Sequence, residues 1–348
     1  MTVCKAGSPI YGDFDPLQNP VPTDAYFDIA LDAWVLSKYD DVIAAFRSDA
    51  LFAVGARATS TAGTAHDELR EKMRAETLAA LSSTELEKWR EDTVQFAGRL
   101  LSELASKREI DLVGHYAKPL CEHLATRITR PVSTHMQTLL QMASQVSAAA
   151  AEPFDLALAA KGEECERELK KYFISGPQSL RESGFVAVSQ GLPCLLSRCW
   201  LALLQHPGEW TRLHDNPLFM RTALEELFRY AGLTQTLFRR AIADMTINGI
   251  QIREGERLIL RIDAANRDSA RFVAPNSLDF STAQEKHLTL GFGKHACVAG
   301  PLLRMVLAAS TDILVQRFRS ARLIGQIEWH GGSGFRFPAA INVLIQST

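Results

Sequence analysis

The sequence predicts a mainly α chain with a smaller β portion, an α+β class, and three observations predict it. Apolar residues recur at helical spacing from His66 to about Tyr230. Within that span, "FVAVSQGLPCLLSRCWLALLQHP" is nearly all apolar, as a buried central helix must be. Beyond Arg239 the texture changes to β-branched runs, as in "INGIQIREGERLILRI" and the closing "FRFPAAINVLIQ".

In chain order, residues 1–29 are polar and rich in Pro and Gly and read as an irregular segment. In "AWVLSKYDDVIAAFRS" a short strand at Ala33–Leu36 precedes a turn and a helix from about Asp40. The long helical stretch breaks near Pro131, Pro153 and Pro177, because proline lacks an N–H and crowds the preceding turn. "REIDLVGHYAKPLCEHLATRI" and "TALEELFRYAGL" are amphipathic helices. Gly191 and Pro193 fall inside the central helix and predict a weak, bent turn there. A hairpin is expected about a turn at Glu254–Gly255, a helix from near Pro301, and a terminal strand after it. No repeat or linker divides the chain, so residues 1–348 are expected to form a single domain.

The bulk numbers exclude several classes. A hydrophobic share of 47% with 22% charged residues is that of an ordinary soluble globular protein. The net charge of −2 and scattered basic residues leave no nucleic-acid footprint. The 6 cysteines form no Cys-X-X-Cys pair and are too sparse for a secreted disulfide scaffold. "MTVCKAGSPIYGDFDPLQNPVPTDAYF" holds no apolar run long enough for a signal peptide or membrane anchor. A cytoplasmic protein without a membrane partner is expected.

The chemistry concentrates in "HLTLGFGKHACVAGPLLRM", residues 287–305. Cys297 stands just ahead of a helical run, with Gly291, Gly293 and Gly300 around it. Thiolate is the reactive and metal-binding form, and helix N-termini stabilise it. Glycines let backbone N–H groups turn toward the sulfur while something flat and large approaches. A haem thiolate ligand, a catalytic nucleophile and an inert buried thiol all fit this local pattern.

"HLTLGFGKHACVAGPLLR" resembles the haem-binding loop of cytochromes P450, in which Phe–Gly–X–Gly–X–His–X–Cys–X–Gly precedes the proximal helix. Gly291, Gly293, His295, Cys297 and Arg304 match it, while Leu290 replaces the Phe and Ala299 the Gly. "ALEELFRY" resembles the family's Glu-X-X-Arg helix, which makes Glu226 and Arg229 a buried structural pair. "RRAIADMTINGIQIREGERLIL" resembles the stretch that follows, with Arg239 rather than Arg240 as the haem-propionate partner. "AANRDSARFVAPNSLDF" carries the Asn-Arg-Asp segment, here Asn266, Arg267 and Asp268. "HDELREKM" resembles the His-X-X-X-Arg helix, and "AWVLSKYDDVIAAF" the first strand and helix. The resemblance implies the cytochrome P450 fold, haem b with Cys297 as axial ligand, and His66, Arg70, Arg239 and His295 around the propionates.

The sequence also departs from the family. The acid–alcohol pair of the central helix falls on Gln190 and Gly191, which can neither ionise nor supply a hydroxyl. Pro193 frees the carbonyl of Ser189, a place for a water, or with Gly191 makes room for substrate. The chain is shorter than most soluble members, with only "ALFAVGARATSTAGTA" before His66, which implies an open pocket for a large or carrier-tethered substrate. Leu233, Thr236 and Phe337 take places that line the pocket in the family. No arginine matches the one that holds the substrate carboxylate in peroxide-using fatty-acid members, since Arg198 lies two turns further along.

The resemblance therefore implies a haem-thiolate oxidase: a monooxygenase, a peroxide-dependent enzyme, or one that rearranges a pre-oxidised substrate in secondary metabolism. Electrons would come from ferredoxin and ferredoxin reductase or another donor, docking near Lys294 and Arg304, unless hydrogen peroxide is the oxidant. The other reading is a degenerate auxiliary that binds and activates a partner such as a glycosyltransferase; retention of Cys297 argues against it. Nothing supports a gas sensor or electron carrier.

Overall fold

The computed structural model describes residues 23–53, 64–132, 135–152, 155–175, 180–281, 286–332 and 334–347. The helices are α1 (Tyr39–Arg47), α2 (Thr64–Ala80), α3 (Ser83–Leu104), α4 (Lys118–Thr129), α5 (Met136–Ala151), α6 (Leu156–Lys170), α7 (Glu182–Val186), α8 (Leu192–Gln205), α9 (Pro207–Asp215), α10 (Met220–Ala231), α11 (Ile262–Ala265) and α12 (Gly300–Arg317). The strands are β1 (Tyr26–Asp28), β2 (Ala33–Leu36), β3 (Leu51–Ala53), β4 (Glu109–Asp111), β5 (Thr236–Ala241), β6 (Met245–Ile247), β7 (Ile250–Ile252), β8 (Arg257–Arg261), β9 (Phe318–Leu323), β10 (Trp329–Gly331), β11 (Arg336–Pro338) and β12 (Asn342–Ser347).

The larger core joins α3, α4, α8 and α12. Trp200 of α8 is fully buried, stacks on Tyr116 at 4.9 Å, and donates its indole N–H to Thr311 Oγ1 at 3.0 Å. Tyr116 in turn donates to the Ser310 carbonyl at 2.8 Å, so three elements are pinned at one point. Burying one such indole is worth about 4–6 kcal/mol as an upper bound. Glu182–Gln205 is long and apolar enough to cross a membrane, but 78% of its most apolar window is buried inside the fold. It is a core helix.

That central helix is interrupted where Gly191 and Pro193 predict it. Residues Ala187–Gly191 form a π-helical turn, in which the Leu192 N–H donates to the Ala187 carbonyl. In a continuous α-helix the Pro193 ring would strike the Ser189 carbonyl, and the wider turn relieves that clash.

The five-stranded sheet runs β1-β2-β8-β5-β3, with β2 and β8 parallel and the other pairs antiparallel. A second core packs α1 against it through Val42, Phe46, Leu258 and Leu260. Two expectations are corrected here. Residues 1–29 are not irregular throughout, because β1 pairs with β2. The hairpin does not turn at Glu254–Gly255: β7 pairs with β6, while β8 joins the sheet beside β5. The turn lies at Asn248 (φ 45°) and Gly249 (φ 87°), the left-handed pair of a tight hairpin. Pro153 and Pro177 lie outside the described residues, whereas α4 ends at Arg130 (φ 48°), just before Pro131.

Candidate haem site

The loop that carries Cys297 is held by its own backbone. The Cys297 N–H donates to the Leu290 carbonyl at 2.6 Å, and the Gly291 N–H to the Leu288 carbonyl at 2.8 Å. Gly291 (φ 72°) and Gly293 (φ 57°) supply the left-handed turns. At Gly291 a Cβ would come within 2.4 Å of the His295 carbonyl oxygen, so no side chain fits there. Leu290, at the position of the family Phe, packs against the larger core.

The Cys297 side chain is accessible to solvent, yet enough protein surrounds it for burial to push its thiol up. Both hold for a sulfur lining a concavity. The opposing effects are the N–H of Ala299, the guanidinium groups of Arg74 and Arg304, and the N–H of Gly300 at the start of α12. Each favours the thiolate, and a metal that binds thiolate adds to them. The other described cysteines are buried; Cys194 and Cys199 are pushed up to about 12, and Cys121 well above its usual range, by burial. They are apolar filling.

Arg239 is 7% exposed, and among the described residues no carboxylate pairs with it. Its Nη1 donates to the Phe238 carbonyl at 2.8 Å, and its guanidinium lies 6.0 Å from the Phe46 ring centroid. Burial lowers it to about 10, so it stays charged at neutral pH. The His295 ring packs at 6.3 Å against the same Phe46, on the side of the fold that carries Cys297. A buried guanidinium without a counter-anion is costly unless an anion from outside the chain joins it. Arg240 is exposed and bound to the Gly255 carbonyl. His66 and Arg70 stand four apart on α2; their side chains lie outside the described residues.

Further along α2, Arg74 donates to the Ala296 carbonyl at 2.5 Å, tying the helix to the residue before Cys297. Sequence reading missed Arg74, although it stands one turn beyond Arg70 on the same face. Behind the loop, Arg304 chelates Glu225 at 2.6 and 3.0 Å, and the buried His287 joins the same carboxylate at 3.1 Å. His287 and then Arg304 hold the Glu225 carboxyl down at about 2. This corrects the expectation of two available cations, because Lys294 is paired with Asp49 and Arg304 with Glu225.

Glu226 and Arg229 form a bidentate pair at 2.7 Å, 2% and 1% exposed at their side chains. Arg229 also donates to the carbonyls of Asn266, Pro275 and Ser277, so α10 grips the segment leading to the Cys297 loop. Asn266 accepts from the Leu288 N–H at 2.7 Å and donates to Thr289 Oγ1 at 2.8 Å.

Across the central helix a cleft of about 750 Å³ opens between α4, α5, α8 and the β10–β11 hairpin. Gln190, Pro193 and Phe337 line it; Gly191, Leu233, Thr236 and Cys297 do not. Thr236 is buried instead, its N–H directed at the Gly334 carbonyl at 3.4 Å, and Leu233 packs on the larger core. At Gly191 a Cβ would meet nothing within 4 Å, which leaves open space beside the π-turn.

Known proteins share this fold. The chain superposes on the structure of P450BioI in complex with hexadec-9Z-enoic acid ligated acyl carrier protein with a TM-score of 0.81, at 22% identity, over 90% of this chain and 92% of that one. The family model "Cytochrome P450" matches residues 210–323, which run from within α9 to β9 and include Cys297. Over that span the chain is similar to cytochromes P450, whose members bind haem, and it has their fold. Over 145 residues it is 38% identical to the biotin biosynthesis cytochrome P450 of Bacillus subtilis (strain 168), covering 42% of this chain and 36% of that protein. The match to 20-oxo-5-O-mycaminosyltylactone 23-monooxygenase of Streptomyces fradiae, at 38% identity, covers 35% of this chain and 29% of that one. The matched part is thus about a third of the length of these relatives. A longer match, at 24% identity, covers 83% of the putative cytochrome P450 YjiB of Bacillus subtilis (strain 168).

Proposed function

We propose that this chain is a haem-thiolate oxidase, a cytochrome P450-type monooxygenase acting on an organic substrate. The observation that carries the reading is the pairing of an accessible Cys297 at the head of α12 with a buried Arg239 that no carboxylate joins among the described residues. Cys297 would hold the haem iron, and Arg239 and His295, with His66 and Arg70 of α2, its propionates. Charge-assisted hydrogen bonds of that kind are the strong ones. An auxiliary that carried no haem would leave the buried Arg239 charge without a counter-anion among the described residues.

Bound haem supplies activation of dioxygen or peroxide, with the thiolate favouring O–O cleavage. The chain supplies the rest. Arg74 and the Leu290 carbonyl hold the Cys297 loop in place. Glu226 and Arg229 lock the segment behind it. Gln190 and Gly191 offer neither acid nor alcohol, so protons come from water beside the π-turn or from the substrate. Electrons come from a ferredoxin and its reductase or another donor, unless hydrogen peroxide is used. With Lys294 and Arg304 already paired, a donor would have to displace Asp49 or Glu225 to reach them.

The relatives support an oxidative tailoring step in secondary metabolism, and the acyl carrier protein in the P450BioI structure supports a carrier-tethered substrate. Free cysteines fit a cytoplasmic setting. The test supplies haem-loaded protein with reduced ferredoxin and dioxygen, then with hydrogen peroxide alone. Oxidant consumption that Cys297→Ala abolishes is expected from one of the two. No consumption of either oxidant by fully loaded protein would contradict the proposal.

A further inference from the structure

The cleft across the central helix has a wall chemistry of its own. On one side stand Trp329, Phe335 and Phe337 of the β10–β11 hairpin, with the Phe335 and Phe337 rings 6.4 Å apart and within 25° of parallel. Arg198 holds this side: its guanidinium donates to the Arg336 carbonyl at 2.9 Å and lies 5.7 Å from the Trp329 ring centroid. The aromatic wall is thus built onto the central helix rather than left on a free hairpin.

On the other side, Gln137, Gln141 and Ser144 project from α5 at positions i, i+4 and i+7, one face of the helix. All three are exposed, and their side chains make no hydrogen bond to another described residue. The floor adds Ser189 and Gln190, which hydrogen-bond each other at 3.3 Å. Uncharged donors and acceptors therefore face an aromatic surface across a space of drug-like size.

The charges in the cleft argue against an anion. Among the described residues that line it, Glu122 and Glu152 bring two carboxylates, Lys118 one ammonium and His330 an imidazole. Glu152 lies over the hairpin so closely that a Cβ at Gly332 would come within 2.3 Å of its carboxylate oxygen. An acidic ligand would meet these carboxylates in a confined space, and like charges there cost more than one exposed lysine returns.

We infer that this cleft binds a neutral amphipathic molecule, an apolar ring system bearing hydroxyl groups as in a glycoside, and rejects fatty-acid carboxylates. The ring system lies on Trp329, Phe335 and Phe337, and the hydroxyls reach Gln137, Gln141 and Ser144. The inference rests on the reading of the chain as an oxidase and names the substrate class that it selects.

Calorimetric titration of the purified full-length protein tests this with two probes, 4-nitrophenyl β-D-glucopyranoside and hexadecanoate. The glucoside is expected to bind at least about tenfold more tightly than hexadecanoate, because each lost hydrogen bond is worth about 1 kcal/mol, roughly fivefold in affinity. Gln137→Ala with Gln141→Ala should weaken the glucoside about 25-fold on the same basis. Tighter binding of hexadecanoate, no binding of either probe, or a double variant with unaltered glucoside affinity would each overturn the inference. Haem content is read on the same samples. Glucoside binding without haem would sink the oxidase reading alone, and haem without glucoside binding the ligand class alone.

Discussion

Arg239 shows how much a single side chain can report. Its guanidinium is buried, and among the described residues no carboxylate stands beside it, so the haem-free chain carries the cost of that burial. Arg239→Met should therefore raise the thermal stability of the haem-free protein, by on the order of 1 kcal/mol, while haem dissociates faster. Thermal melting of the haem-free form and haem transfer to apomyoglobin measure the two effects. A variant that lowers apo stability and leaves haem transfer unchanged would assign Arg239 to packing alone. Glu225 supplies a second prediction at this scale. Its folded-state carboxyl, held down at about 2, lies below the ordinary value of 4.5, so the stability it contributes is present above pH 4.5. It is lost as pH falls from 4.5 through about 2. The carboxylate is half exposed, which screens the pair to about 1 kcal/mol or less. Denaturant midpoints measured across that window should fall less steeply in Glu225→Gln than in the parent; equal slopes would remove Glu225 from the acid response.

At the scale of elements, the sequence was informative wherever local chemistry dictates the outcome. The strand Ala33–Leu36 is bounded as its apolar run indicates, and Gly191 and Pro193 do interrupt the central helix. The hairpin turns at Asn248–Gly249 rather than at Glu254–Gly255 because Asn-Gly is the stronger signal for a left-handed two-residue turn. The parallel pairing of β2 with β8 joins residues more than 200 positions apart, and no local pattern encodes it. The same limit hid the Glu225–His287–Arg304 cluster, whose members look like separate surface charges in the sequence. Cys297 and its glycines were legible because the backbone needs them in a fixed order; Arg74 was not, because only the packing of α2 brings it to Ala296.

For the whole molecule, two environments carry the chemistry. One is the thiol loop, with Arg239 and His295 around Phe46. The other is the cleft beside the central helix, with its neutral polar wall on α5. The π-turn Ala187–Gly191, with open space beside Gly191, borders the cleft through Ser189 and Gln190, at the positions where the acid and alcohol of the family are replaced. Loss of those groups at an opened turn, with the thiol loop retained, fits the proposed oxidase with a different proton route better than a fold emptied of chemistry. The central claim is that Cys297 holds a haem iron as thiolate. The absorption spectrum of the reduced protein under carbon monoxide tests it most directly. The account predicts a strongly red-shifted Soret band that Cys297→Ser loses; absence of haem after reconstitution, or a parent spectrum that Cys297→Ser leaves unchanged, would contradict it.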